Sequence, residues 1–292
     1  QLLLFAGRVC ATPPESVRRP NVLMILCDDL NTSVGAFGEV QARTPHIDRL
    51  AVSGARFTRA FAQWPSCLPS RYSFLSGWSP LRTGVYDFTP GPRDGALAEA
   101  VYLPQHLKAH GYRTGRLDKV FHIGRDLPEI WDISEEPQMT QADGRLTPVW
   151  TGIESSVLGL SNRIVRREAY PEVAGETGIT EVMDDALGGD ALFDGKTARR
   201  AIELIREWAP DEKPFFLAIG FRRPHLPWIA HQRYFDLFPP DRMNVPRPQP
   251  GFETALAPGV REAMRAHYFA AVSSVDHSIG EVLACLLYTS DA

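Results

Sequence analysis

Two continuous apolar runs, Pro20–Cys27 (PNVLMILC) and Pro214–Gly220 (PFFLAIG), constrain this chain more than any other feature. A strand that is apolar on both faces belongs in a sheet covered on both sides, which in practice means a parallel sheet between layers of helices. The first run is preceded by Arg18-Arg19 and closed by Asp28-Asp29, polar borders that suit a buried strand. Helical patterns surround the two runs. Thr44–Ala51 reads as a short helix with Thr44 as N-cap and Pro45 at its first position, ended by Gly54. Ala55–Phe61 then alternates like a strand. Leu103–His110 reads as a helix closed by Gly111, Tyr112–Leu117 as a strand, and Asp194–Trp208 as a helix with Ala198, Ala201, Ile202 and Ile205 at helical spacing. Residues 132–192 are weakly patterned and read as loops over the sheet edge. The Pro-rich stretch Phe238–Phe252 reads as a surface excursion, because Glu262–Leu286 resumes a long amphipathic helix. The alternation predicts an α/β fold, a three-layer αβα sandwich around a mostly parallel central sheet.

Composition narrows the function. A chain of 292 residues that is 44% hydrophobic and 23% charged is an ordinary soluble globular protein and not a disordered one. A net charge of −4 argues against a nucleic-acid partner, which calls for a clustered basic surface. An anionic substrate would instead need Arg, Lys or a metal concentrated at one site. No run reaches the ~18 apolar residues of a membrane span, so none is expected. The leading Gln1–Gly7, followed by the small residues of Val9-Cys10-Ala11, reads as the trailing part of a secretory signal, and an exported protein (periplasmic or secreted) is expected. Residues 1–18 are thus read as residual signal or tail, and 19–286 as one catalytic domain. Residues 287–292 are read as a tail that need not be native sequence. The last helix is in mid-pattern where the chain stops, so the domain is expected to be truncated at its C-terminal side. Four cysteines (Cys10, Cys27, Cys67 and Cys285) are too few for a disulfide scaffold, and Cys27 reads as a small buried hydrophobe.

The chemistry concentrates in four short segments. In Cys67-Leu68-Pro69-Ser70-Arg71, Cys67 and Arg71 are at i and i+4 and share a helix face, with Pro69 in the first turn. A helix N-terminus with a guanidinium one turn on is a cradle for sulfate or phosphate. An unmodified cysteine there is expected to have a lowered pKa, which keeps a thiolate enzyme open. Asp28-Asp29, closing an apolar strand, puts two carboxylates side by side, a repulsion that a hard divalent cation relieves. Lys119 and His122 follow a strand and suit holding an anion and moving a proton. His225, between Pro224 and Pro227, follows the second apolar run and so shares the carboxyl edge with Asp28, where open α/β sheets place their chemistry. His46, His106, His110, His231, His267 and His277 read as structural or solvated.

Taken together, CLPSR with the following LSG, RPNVLMILCDDL, TPHIDRLAVSGARFTRAFAQ, KVFHIG, PFFLAIGFRRPHLPW and YFAAVSSVDHSIGEVL resemble the sulfatase family of the alkaline-phosphatase-like superfamily, and within it the iduronate 2-sulfatase branch. The resemblance runs from Arg19 to about Leu286. It implies that Cys67 is the precursor of formylglycine, the aldehyde nucleophile installed by a maturation enzyme. It also implies that Asp28, Asp29 and residue 67 bind one Ca²⁺. Arg71 and Lys119 would hold the formylglycine and sulfate oxygens, His122 would stand beside the hydrate, and His225 would face the leaving group. The implied substrate is a sulfated sugar or glycosaminoglycan-like chain, with a 2-sulfated uronate favoured. Two further readings stay open: a phosphate or phosphonate ester hydrolase on the same scaffold, and an inactive fragment that binds sulfated glycans.

Overall fold

A computed structural model describes residues 19–136, 139–140, 146–147, 180–183, 185, 192–246 and 259–290. The signal and tail expected over residues 1–18, and the final two residues, lie outside the described residues. The strands are β1 (Val22–Cys27), β2 (Arg113–Asp118), β3 (Ile133–Glu135), β4 (Met139–Thr140), β5 (Leu146–Thr147), β6 (Thr180–Met183), β7 (Phe215–Phe221) and β8 (Trp228–His231). The helices are α1 (Pro45–Ser53), α2 (Cys67–Ser76), α3 (Pro80–Thr83), α4 (Leu103–Ala109), α5 (Phe193–Trp208), α6 (Gln232–Phe235) and α7 (Val260–Ser290).

The main sheet has the order β1-β7-β2-β3, all parallel. β7 is buried at all seven positions, and the edge strand β1 is half-buried throughout. Side chains alternate across the sheet, as period-two geometry requires. Phe216 and Ala218, with Met24 and Leu26, meet Leu68, Tyr72 and Leu75 of α2 on one face. Phe215, Leu217 and Ile219, with Leu23 and Ile25, meet Ala201, Leu204 and Ile205 of α5 and Val275, Ile279 and Val282 of α7 on the other. Helix, sheet and helix therefore make the three-layer sandwich expected. β6 pairs with β8 and β4 with β5 in two small accessory sheets.

Four expectations are corrected. Ala55–Phe61 is not a strand but an exposed loop, because alternation makes a strand only where a neighbour completes the hydrogen-bonded ladder. The weakly patterned stretch after residue 132 supplies β3, the outer strand of the sheet itself, and not only loops over it. Thr44 takes the N-cap position without capping through its side chain. Its Oγ1 accepts from Gly35 N at 2.9 Å and donates to Asp48 Oδ1 at 3.1 Å. The first N–H groups of α1 go instead to Asp276 of α7, which accepts from His46 N at 3.2 Å and Ile47 N at 2.8 Å. Finally, α7 is not amphipathic over its middle. Ala266, Phe269–Asp276 and Ser278–Gly280 are all buried, which is the signature of a central core helix. Gly280 is needed there, since a Cβ would stand 2.4 Å from the His46 ring. By length and composition Val260–Leu286 is apolar enough to cross a membrane, yet 72% of its most apolar window is buried inside the fold.

Candidate active site

Register places the site. In the parallel ladder Cys27 stands opposite Phe221 and Asp118 opposite Gly220, so three strands end at one level. Whatever follows those ends lies together: Asp28-Asp29 after β1, Lys119 after β2, and Arg222 to His225 after β7. Two further hydrogen bonds continue the ladder past the strands, Asp28 N to Phe221 O and Lys119 N to Gly220 O, both 3.1 Å. Gly220 permits this approach, because a Cβ there would fall 2.1 Å from the backbone carbon and oxygen of Lys119. Asp29 and Asp118 both adopt left-handed backbone, with φ of 61° and 55°. Aspartate tolerates that region better than most side chains, and the conformation turns the chain sharply at each strand end. Tyr268 of α7 fixes the first turn by donating from its hydroxyl to Asp29 O at 3.0 Å.

Helix α2 faces this edge with Cys67 at its first position. One turn on, Arg71 is buried, and its Nη2 meets Asp28 Oδ1 at 2.8 Å. Its Nη1 donates to Val120 O at 2.8 Å and to Lys119 O. The Lys119 ammonium lies against the other oxygen of Asp28, so one buried carboxylate joins two buried cations. Burial alone would raise the Asp28 carboxyl, but Arg71 and then Lys119 outweigh it and hold the group below the usual carboxylate range. The Cys67 thiol moves the opposite way: burial, reinforced by Asp28, pushes it up against the pull of Lys119 and Arg71. Desolvation thus moves the thiol up where the helix terminus was expected to lower it. The Arg71 guanidinium, expected as an open anion cradle, is engaged by protein groups and braces α2 against the strand ends.

The two histidines have defined tautomers. His122 is half-buried, its ring edge-on to Phe88 at 5.1 Å and its Nδ1 3.1 Å from Ile123 O. A carbonyl only accepts, so Nδ1 carries the hydrogen and Nε2 the lone pair. Burial, and then the Lys119 charge, lower its proton affinity. His225 makes the same kind of contact from Nδ1 to Leu226 O, which leaves its Nε2 3.8 Å from Asp29 Oδ2. A cavity of about 360 Å³ opens beside these groups, and Asp28, Asp29, Trp64, Ser66, Cys67 and Arg71 are among its lining residues. Lys119 joins it through Asp28 and His225 through Asp29. His122 stands back from it, in electrostatic reach of Lys119.

The donor set suits a hard cation in kind. Asp28 and Asp29 offer adjacent carboxylates, although Arg71 and Lys119 already engage the two oxygens of Asp28, so a cation there would share that carboxylate with them. Ca²⁺ takes ~6–8 oxygens, so the pair would supply at most one edge of such a shell. Among the described residues no three His, Cys, Asp or Glu side chains converge as a metal cluster.

Sequence reasoning missed the charges beneath the site. Asp118, fully buried, accepts from Arg222 Nε at 2.9 and 3.1 Å and from Nη2 at 2.9 Å. Asp194 accepts from the backbone N–H of Arg222 at 2.7 Å and of Arg223 at 3.1 Å. These pairs pin the turn carrying Lys119 to the loop carrying His225. The only sequence signal was position: Asp118 directly precedes Lys119, and Arg222-Arg223 directly precede Pro224-His225.

Comparison with known proteins gives the family. A family model described as Sulfatase matches residues 20–291. A sulfatase of Formosa agariphila is 28% identical over 309 aligned positions, covering 93% of this chain and 56% of the relative. Human iduronate 2-sulfatase is 29% identical over 302 positions, covering 91% and 51%. The chain therefore spans about half the length of the curated relatives it matches. Among solved structures, the phosphonate monoester hydrolase of Agrobacterium radiobacter superposes with a TM-score of 0.66 at 20% identity, covering 92% of this chain and 60% of that one, a likeness of fold alone.

Proposed function

The chain belongs to the sulfatase family, and from that we propose that it hydrolyses sulfate esters at the carboxyl edge of its sheet, with residue 67 as the nucleophile. The observation that carries the reading is Cys67 at the start of α2, lining the cavity beside the buried Asp28–Arg71–Lys119 cluster. Formylglycine, made from Cys67 by a maturation enzyme, would supply a hydroxyl on its hydrated aldehyde. Ca²⁺, held on one edge by Asp28 and Asp29 and by an oxygen of the derivatised residue 67, would supply positive charge against the sulfate.

The chain's own side chains have distinct tasks. Arg71, which lines the cavity, orients α2 and residue 67 against Asp28, and with Lys119, which reaches the cavity through Asp28, it supplies positive charge toward the sulfate oxygens. His122, neutral with its lone pair on Nε2, accepts the proton that residue 67 gives up when the sulfate is released. His225, held at Nδ1 by the Leu226 carbonyl with Nε2 toward Asp29, delivers a proton to the departing alcohol from Nε2 once that nitrogen is protonated. Likeness to iduronate 2-sulfatase points to a 2-sulfated uronate in a sulfated glycan. Assays of the chain, matured at residue 67, on matched aryl sulfate and aryl phosphate esters test the reading. Preference for the sulfate, abolished in Cys67→Ser, is expected. Near-parent turnover by Cys67→Ser would overturn the nucleophile assignment, and preference for the phosphate would overturn the reaction class.

A further inference from the structure

Outside the candidate active site, the side chains best arranged to take a ligand are His106 and His110 at the end of α4. Four residues apart, they stand one turn apart on a single face. Both are exposed, and their ring centroids are 4.2 Å apart with the planes inclined by 35°. The Nδ1 of His110 lies 2.8 Å from the His106 carbonyl. Since that oxygen only accepts, Nδ1 carries the hydrogen and Nε2 carries the lone pair. Metal-binding histidines have this feature: one ring nitrogen donates to a carbonyl, which fixes tautomer and ring orientation, and the other binds the ion.

We propose that His106 and His110 form a chelate site for a borderline divalent transition ion (Ni²⁺, Zn²⁺ or Cu²⁺), with water completing the shell. Imidazole suits these ions and not Ca²⁺, so the site is chemically distinct from the Asp28–Asp29 edge. Metal–nitrogen bonds of about 2.0–2.1 Å set two ligand nitrogens ~3 Å apart, within reach of rings whose centroids are 4.2 Å apart. The neighbouring cations bond groups other than the two rings. Arg19 donates to the His110 carbonyl, and Lys108 holds Asp132 at 3.0 Å and the Trp131 carbonyl at 3.1 Å. Two protein ligands make this an exchangeable site, unlike the four-ligand structural zinc centre.

Calorimetric titration of the untagged chain with Ni²⁺, in buffer saturated with Ca²⁺, tests the proposal. One equivalent should bind, and His106→Ala or His110→Ala should weaken it at least about tenfold, the loss that even an outer-shell partner brings. His277→Ala, at another exposed histidine, should leave that equivalent intact. Acidification should release the ion, because a protonated imidazole has no lone pair to offer. Undiminished Ni²⁺ binding in the His106→Ala/His110→Ala double variant, absence of saturable binding in the parent, or loss confined to His277→Ala would each overturn it. Circular dichroism of the variants separates loss of the site from loss of the fold.

Discussion

His267 makes the protein's stability depend on pH in a way that can be worked out in advance. It lies on α7, 2% exposed and edge-on to Phe235 at 5.3 Å. Burial penalises the imidazolium and draws its pKa from 6.5 down to about 4. An unfolded chain therefore takes up the proton near pH 6.5, while the folded one does so only near pH 4. Stability from this source is complete above pH 6.5 and declines as the pH falls toward 4. At ~1.4 kcal/mol per pH unit the whole window amounts to about 3 kcal/mol, of which about 2 kcal/mol falls between ~pH 7.5 and ~pH 5. Replacing His267 by Leu, similar in size and without a titrating group, removes the dependence. Urea unfolding of parent and variant at the two pH values cancels every other titration in the difference. The parent should lose about 2 kcal/mol more than the variant on acidification, a midpoint shift of roughly 0.7 M at an m of ~3 kcal/mol/M. Profiles that stay parallel to within ~0.5 kcal/mol would show that the folded interior admits the charge, and the argument from burial would be wrong.

The remaining predictions concern how the site is held. Gly220→Ala must push apart the ends of β2 and β7, since the new methyl meets backbone and not a mobile side chain. It should cost about 3 kcal/mol or more in chemical unfolding, and a loss below ~1 kcal/mol would mean the strands do not approach so closely. Arg222→Met leaves Asp118 buried without its bidentate partner, and a loss of about 3–5 kcal/mol in unfolding free energy is expected. The double variant Asp118→Gly/Arg222→Met should recover most of it, because glycine suits the left-handed backbone at 118 and no lone charge remains. A double variant as unstable as the single one would place the cost in lost packing against Phe193.

How much could be read from the chain differs by element. β1 and β7 were legible because a continuous apolar run suits little but a strand covered on both faces. Their adjacency was not, because β7 enters the sheet between two strands that precede it by about a hundred residues or more. Ala55–Phe61 shows that alternation is necessary for a half-buried strand and not sufficient. The middle of α7 departs from the amphipathic pattern for a different reason: its polar residues are buried and bonded to other elements. Asp276 is buried in capping α1, and Ser273 donates to the Arg43 carbonyl at 2.8 Å. The sharing of a helix face by Cys67 and Arg71 followed from spacing alone. The pairing of Arg71 with Asp28, 43 residues away, did not, and that pairing helps decide the electrostatics of the site.

The strand order also sets a schedule. During synthesis β1 and β2 are complete long before β7, their shared neighbour, exists. At ~5–20 residues per second the wait of about 100 residues lasts on the order of 5–20 s. Through that interval neither early strand has its central ladder, α1 lacks the carboxylate that caps it, and Lys119 lacks the Gly220 carbonyl that orients its turn. The arrival of a single seven-residue strand then supplies the ladder that both early strands share and brings Asp28, Lys119 and His225 to one edge, while the α1 cap and the core face against α7 wait for Asp276 and its helix.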